Sequence, residues 1–339
     1  MLRDWAEGDL SDIIARHPEW FAVTGGVPPA NGLVPLGSGE SYAVWRAGDL
    51  VVRIARRPAA ELPVDLAQER AALLLAPAGL GPRVIGAGEV EVAGAGAFPY
   101  LVESLVPGRT LAPSQWSDPL RALLVADLAR LHERTWPGPG TASEALAGTG
   151  PAAGRIDFVA RVEEVVDWWA TRLGGAEREA WWPLVAPMRA YGKDVAGAFA
   201  ELDRFSLIHG DPVCTNVLVH QGVPRLIDWE WAAIGDPARD IGFLGGAVHA
   251  APWYASVNDG QVDALVRAYV DAGGCGDAAA LRLRRDAWLA LEAFSTSAYL
   301  AWVVADNPGR DHGWRPAAAH QLLTTLSDVL APFATPARD

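Results

Sequence analysis

The residues best able to do chemistry fall in one short stretch, Ile208-His209-Gly210-Asp211-Pro212-Val213-Cys214-Thr215-Asn216-Val217-Leu218. An apolar strand runs into a polar loop and out into a second apolar run. Asp211 and Asn216 share that loop, and Leu226-Ile227 ends a further apolar strand on the carboxylate of Asp228. Gln221-Gly222 between the two runs supplies turn chemistry, so the spacing predicts a hairpin with Asn216 and Asp228 at its open end. One carboxylate and one carboxamide are hard oxygen ligands that can hold Mg²⁺ without filling its shell. A second carboxylate, Asp211, is placed to accept the proton of an attacking hydroxyl. This is the equipment of phosphoryl transfer, where charge on the moving group must be neutralised and the nucleophile positioned. Asp and Asn in loops otherwise serve to cap turns. His209 reads as a brace for the loop backbone, Asp236 as the cap of a helix beginning at Pro237, and Asp240 as architectural.

The elements that must position these groups divide the chain into unlike parts. Up to about residue 105 it reads as a small, mainly β lobe with one helix. Leu36 to Arg46 and Leu50 to Ile54 read as strands joined through Ala47-Gly48-Asp49, with Gly37-Ser38-Gly39 inside or just before the first. A helix is expected over 61–76, short strands near 83–85 and 99–105, and a short N-terminal helix capped by Ser11. From 106 to 339 the pattern is mainly helical, with helices over 118–133, 157–173 and 176–202 and more in 260–333. Trp168, Trp169, Trp181 and Trp182 are expected inside. The fold class expected is α+β and bilobal, divided at 1–105 and 106–339.

The joined motif is more specific than its parts. His209-Gly210-Asp211, then Asn216, Ile227-Asp228-Trp229-Glu230 and Gly235-Asp236-Pro237-Ala238-Arg239-Asp240 resemble the aminoglycoside-phosphotransferase family, whose fold is protein-kinase-like and which includes macrolide phosphotransferases. Its pattern, H-G-D-x4-N followed by I-D-W-x5-G-D-P-x2-D, is present in order over 32 residues. The resemblance implies a small-molecule kinase using ATP or GTP with Mg²⁺, Asp211 as base, and Asn216 and Asp228 on the metal. It implies that the Gly37-Ser38-Gly39 loop covers the nucleotide phosphates and that Arg53 contacts them while paired to Glu69. Lysine is commoner than arginine at that strand position, though arginine keeps the charge and can bridge phosphate and carboxylate. Pro99 to Gly108 resembles the interlobe hinge, with the main-chain groups of Ser104 and Val106 meeting the base. Arg53-Ile54-Ala55-Arg56-Arg57-Pro58 is similar to the strand end of the macrolide branch.

Composition narrows the partners. The formal net charge is −13, and no basic stripe of the kind a nucleic-acid binder shows is present. An acidic surface favours a cationic acceptor; the resemblance to antibiotic kinases implies a hydroxylated, amine-bearing small molecule, an aminoglycoside or a macrolide-type antibiotic. Glu292, Asp306 and Asp311 are candidates for its amines and Trp253, Trp288, Trp302 and Trp314 for an apolar wall, although large aromatics usually serve packing. A metabolite kinase for choline, homoserine or a sugar-like acceptor is the alternative, and a weakly catalytic binding protein the reading from another class. A P-loop is excluded because Lys193 is the only lysine. No run of about 18 apolar residues is found, and the two cysteines, Cys214 and Cys275, form no disulfide framework. A cytoplasmic location with no membrane partner is expected.

Overall fold

The computed structural model describes residues 3–24, 33–38, 41–62, 65–307 and 311–334. Gly39, from the expected phosphate loop, lies outside them. Two short helices, α1 (Glu7–Ala15) and α2 (Glu19–Thr24), precede an antiparallel sheet. Its strands are β1 (Val34–Ser38), β2 (Tyr42–Ala47), β3 (Leu50–Ala55), β4 (Val84–Val92) and β5 (Gly96–Ser104). They lie in the order β1-β2-β3-β5-β4, and α3 (Leu66–Leu75) enters between β3 and β4. The β2–β3 turn needs a left-handed residue, which Gly48 supplies at φ 61°. Asp65 caps α3, its carboxylate accepting from the Ala67 N–H at 2.8 Å.

The sheet buries both faces, differently. Trp5, Leu10, Ile13, Trp20, Phe98, Tyr100 and Val102 close one face under α1 and α2. Tyr42, Ala55 and Leu101 on the other join Leu66 and Leu73 of α3 in the core that continues into the helical lobe. Ser11 does not cap α1. It lies inside the helix, where its hydroxyl donates to the Glu7 carbonyl at 2.9 Å. The two short strands expected near 83–85 and 99–105 form one long hairpin. Its alternation over Glu89-Val90-Glu91-Val92 is masked by Gly86 and Gly88. Those glycines make room for rings, since a Cβ at Gly86 would lie 2.5 Å from Trp20 and one at Gly88 2.5 Å from the Tyr100 hydroxyl.

The second lobe is built on helices. They are α4 (Asp118–Leu131), α5 (Ala142–Leu146), α6 (Phe158–Ala170), α7 (Gly175–Trp181), α8 (Val185–Ala200), α9 (Pro237–Gly242), α10 (Asp259–Asp271), α11 (Ala278–Asp306) and α12 (Arg315–Leu330). The helix expected over 176–202 is two, because Pro183 lacks the N–H that would carry it through. Trp169 and Trp181 are buried, whereas Trp168 and Trp182 are exposed with the Arg172 and Arg178 guanidinium groups over their rings. Each of these helices buries a single apolar stripe, which takes Trp169 and Trp181 and leaves the neighbouring ring outside. By length and composition α11 could cross a membrane. Here it is the central helix of the lobe, packed among α6, α7, α8, α9 and α12, with Arg284 and Arg285 buried on it.

Two small β units hold the chemistry. β6 (Thr135–Trp136), β7 (Phe205–Ile208) and β10 (Ala233–Gly235) form a sheet in the order β10-β7-β6. β8 (Val217–His220) and β9 (Val223–Leu226) form the expected hairpin, turned by Gln221 at φ 51° and Gly222 at φ 79°. The interlobe segment is pinned to it by a two-way bridge. Arg109 N–H donates to the Val219 carbonyl at 3.2 Å, and Val219 N–H to the Arg109 carbonyl at 2.9 Å.

Candidate active site

The catalytic loop begins where β7, buried along its whole length, runs out into His209. Its first two N–H groups have no strand partner and are taken by one carboxylate. Asp240 of α9 accepts from His209 N–H at 2.7 Å and Gly210 N–H at 2.8 Å, and faces His132 Nε2 at 3.2 Å. Burial alone would raise the Asp240 pKa, but the His132 and backbone hydrogen bonds more than offset it and hold the carboxyl below its usual range. Gly210 sits at φ 83°, and a Cβ there would lie 2.1 Å from the Trp231 carbonyl oxygen, so only glycine fits.

His209 ties the loop to the strand that carries Asp228. Its Nε2 lies 3.0 Å from the Ile227 carbonyl, and its Nδ1 accepts from the Asp211 N–H at 3.3 Å. The ring therefore carries its proton on Nε2, and burial pushes its pKa down, which keeps it neutral. Trp229 packs edge-on against it with centroids 4.8 Å apart. Asn216 Nδ2 donates to the Asp211 carboxylate at 2.8 Å and to the Asp211 carbonyl at 3.0 Å. Ile227 N–H donates to the Asn216 carbonyl at 2.9 Å, closing the mouth of the hairpin with Asp228 beside it. Asp228 is in the left-handed region at φ 65°, a sparsely populated conformation for aspartate that the surrounding bonds impose.

Above this mouth lies the small lobe. Arg53, central in the sheet, pairs with Glu69 of α3 and reaches Asp228 Oδ1 with its other terminal nitrogen at 2.6 Å. Glu69 also accepts from the Trp229 N–H at 3.2 Å. The two lobes are thus clasped by one arginine and one glutamate, and Arg53 is 7% exposed and Glu69 1%. Burial, the Glu292 and Asp228 charges, partly countered by Arg239, drive the Asp211 pKa well above the ordinary carboxylate range. Burial and the Asp228 charge push Glu230 up to about 7.

The structure brings Arg53, Glu69, His209, Asp211, Asn216, Asp228 and Asp240 into one connected network. Asp236 stands outside it. It caps α9 by accepting from Ala238 N–H at 3.0 Å and is held by Arg284 Nε and Trp288 Nε1, each at 3.0 Å. Gly37 and Ser38 continue β1 opposite Val44 and Ala43 rather than forming a separate loop. Ser104 N–H is committed to the Arg83 carbonyl at 2.9 Å, so its main chain can offer a base only the carbonyl. The N–H of Val106 has no hydrogen-bond partner among the described residues. Glu292 is not at a helix end: it sits mid-way along α11 and pairs with Arg239 at 2.6 Å, close enough for its charge to act on Asp211. Trp288 is core, Trp253 stacks edge-on with Trp314, and Trp302 packs near Trp169. Sequence reading passed over the buried Glu103, Glu230 and the exposed Trp231. The signal for Glu103 was present as a lone acid closing the apolar run Tyr100-Leu101-Val102.

This bilobal arrangement, with a β lobe clasped over a hairpin that carries acidic and amide side chains at its mouth, is the kinase-like fold. A model of the phosphotransferase enzyme family, APH, matches residues 32–294, and the chain belongs to that family, which makes it a small-molecule phosphotransferase. Among solved structures it is similar to a choline/ethanolamine kinase family protein from Mesorhizobium loti, with 22% identity over 96% of each chain and a TM-score of 0.58. It is similar to a thermostable mutant of aminoglycoside phosphotransferase APH(4)-Ia, with 18% identity over 94% of this chain and 99% of that one and a TM-score of 0.59. The macrolide 2'-phosphotransferase MphH from Brachybacterium faecium is 18% identical over 98% of this chain and 99% of its own, with a TM-score of 0.56. No curated protein sequence matches the chain.

Proposed function

We propose that the chain transfers the γ-phosphoryl group of a nucleoside triphosphate, with Mg²⁺, to a hydroxyl of an amine-bearing antibiotic of the aminoglycoside or macrolide type. One observation carries the reading: the Asp211 carboxylate is held by the Asn216 amide, beside Asp228, beneath the Arg53–Glu69 pair. Asn216 spends its amide nitrogen on Asp211, which leaves its amide oxygen free of hydrogen bonds among the described residues, and Asp228 keeps one carboxylate oxygen clear of Arg53. Two hard oxygens suit Mg²⁺, which takes one or two protein ligands and leaves the rest of its shell to phosphate and water. Bound there, it would neutralise charge on the transferring group.

The chain's own groups do the rest. Asp211 orients the acceptor hydroxyl and takes its proton, and the raised pKa of its carboxyl strengthens it as a base. Arg53 swings its second arm from Asp228 to the nucleotide phosphates while Glu69 holds the first, which uses the bidentate fork of arginine. The acceptor enters over Trp231, which is 49% exposed beside Gly210, with Glu292 supplying negative charge near Asp211. The net charge of −13 attracts a cation to this cleft.

What is known of similar structures supports the acceptor class: APH(4)-Ia forms a ternary complex with AMP-PNP and hygromycin B, and APH(2'')-IIa one with streptomycin and ATP. The similarity to a choline/ethanolamine kinase family protein favours a second reading, a small amine alcohol as acceptor. Mass spectrometry for an added phosphoryl group separates them across aminoglycosides, macrolides, choline, ethanolamine and homoserine. A metabolite with far higher kcat/KM than any antibiotic would replace the first reading with the second.

A further inference from the structure

Glu103 is a buried carboxylic acid that the transfer chemistry does not use. It ends the alternation of β5. Phe98, Tyr100 and Val102 face the core under α1 and α2, while Leu101 faces the core shared with the helical lobe. Glu103, two residues beyond Leu101, lies on that same face of the sheet, from which Arg53 reaches Asp228. It lies opposite Val51 of β3, whose next neighbour on that face is Arg53. Only 5% of the residue is exposed, and its Oε1 has no hydrogen-bond partner among the described residues. Arg53 acts on it through charge alone: its terminal nitrogens bond Glu69 and Asp228, and none bonds Glu103.

The place of Glu103 in the chain matters as much as its burial. The next residue, Ser104, is the last of the strand. From there Leu105-Val106-Pro107-Gly108 crosses to the second lobe and is anchored at Arg109 on β8. Leu105 N–H donates to the Asp49 carbonyl at 2.8 Å and Ser104 N–H to that of Arg83 at 2.9 Å. The crossing is thus rigid at its start, with a free N–H at Val106. A side chain at this junction, on the face that carries Arg53, would stand beside a planar base that uses the crossing's main chain.

A buried polar atom without a partner is costly and rare, and one on the face that carries Arg53, at the start of the interlobe crossing, points to a ligand that completes it. Burial, and the charge of Glu69, push the Glu103 carboxyl up to about 8, so near neutral pH it carries a hydroxyl donor and a carbonyl acceptor side by side. That pair has the donor and acceptor pattern of a carboxamide. Adenine presents the complement along one edge, an N6 amino donor beside an N7 acceptor, whereas guanine presents two acceptors, O6 and N7.

We propose that the Glu103 side chain reads the N6 and N7 edge of the nucleotide base and so selects ATP over GTP. This rests on the phosphotransferase reading. The test measures binding of AMP-PNP and GMP-PNP, each with Mg²⁺, by titration calorimetry of the full chain, so it needs no acceptor. Wild type binds AMP-PNP more tightly. Glu103→Gln keeps the same donor and acceptor and retains that preference within about threefold. Glu103→Leu loses about 10- to 100-fold for AMP-PNP, the range of one bidentate base contact, with GMP-PNP little changed, so the preference collapses. Three results overturn the proposal alone: wild-type preference for GMP-PNP, an unchanged ratio in Glu103→Leu, or equal loss for both probes, which marks mere support of Arg53 and Glu69. Wild-type protein that binds neither probe overturns the phosphotransferase reading, and this inference with it.

Discussion

The two sides of the cleft are built on opposite principles. On the hairpin side the polar groups of the loop are mutually satisfied: Asp240 takes the His209 and Gly210 N–H groups, His209 takes the Ile227 carbonyl, and Asn216 holds Asp211. On the sheet side a single arginine stands against Glu69, Glu103, Asp228 and Glu230, and two buried carboxyl oxygens, Glu69 Oε2 and Glu103 Oε1, have no partner. One side is preorganised for a reaction that must find its groups in place. The other holds excess negative charge and unspent hydrogen-bonding capacity that a nucleotide and its cation would complete.

The contrast can be broken most sharply at Asp211. Asp211→Asn is expected to fold with an unchanged melting temperature and to lower kcat by about 10²–10⁴-fold, the range of general-base catalysis, with nucleotide binding retained. Near-normal turnover in a coupled or mass-spectrometric assay would remove Asp211 from the mechanism. Asp240→Ala attacks the same side through its scaffold. It strands two buried N–H groups, so urea unfolding should show a loss of roughly 3 kcal/mol, with activity falling in parallel. An Asp240→Ala protein as stable as wild type would mean that the loop is held elsewhere.

On the sheet side, Arg53→Ala should raise nucleotide KM by about tenfold or more, and Arg53→Lys should recover part of the loss because it keeps the charge but not the fork. If both behave as wild type, the Arg53–Asp228 contact is the whole of the residue's role. Asp228→Asn should shift the Mg²⁺ dependence of the rate to higher concentration by about tenfold. An unaltered Mg²⁺ titration would detach Asp228 from the metal.

The last expected effect is one of stability and its dependence on pH. The Glu103 carboxyl is raised to about 8 in the folded chain, against about 4.3 when unfolded. The folded state therefore holds a proton that the unfolded state releases, and the wild-type stability contribution is full below about pH 4.3 and is lost as pH rises toward 8. Glu103→Gln lacks that titration, so its stability relative to wild type should grow over this interval and level off above it. Parallel melting curves from pH 5 to 8.5 for both proteins would show that Glu103 ionises normally.

Much of the hairpin side was legible in the sequence. Asn216 and Asp228 could be placed at one mouth, with Asp211 in the loop beside Asn216, because a two-residue turn and two apolar runs fix their geometry within a few residues. Asp236 could be assigned to the start of α9 because Pro237 follows it. The sheet side was only partly readable. Arg53 and Glu69 were paired through family resemblance, but Asp228 as a second partner of Arg53 was not foreseen, nor was the Trp229 N–H on Glu69. The four tryptophans at 168, 169, 181 and 182 were all placed inside, although the apolar stripe of these helices takes only Trp169 and Trp181.

By itself the sequence determined the local devices: the caps of α3 and α9, the glycine turns, and the loop in which Asn216 holds Asp211. These depend on residues close along the chain, whose dihedral preferences and hydrogen bonds need no distant partner. Only the tertiary structure decided the clasp between lobes, because Arg53 and Asp228 are 175 residues apart. Their meeting requires the sheet to seal one face under α1 and α2 and the other against α3 and the helical core. The same packing put Glu292 within electrostatic reach of Asp211 and left Glu103 buried without a partner. Burial and charge in the cleft belong to surfaces that come together late along the chain, and residue order alone does not encode the low-dielectric space between them.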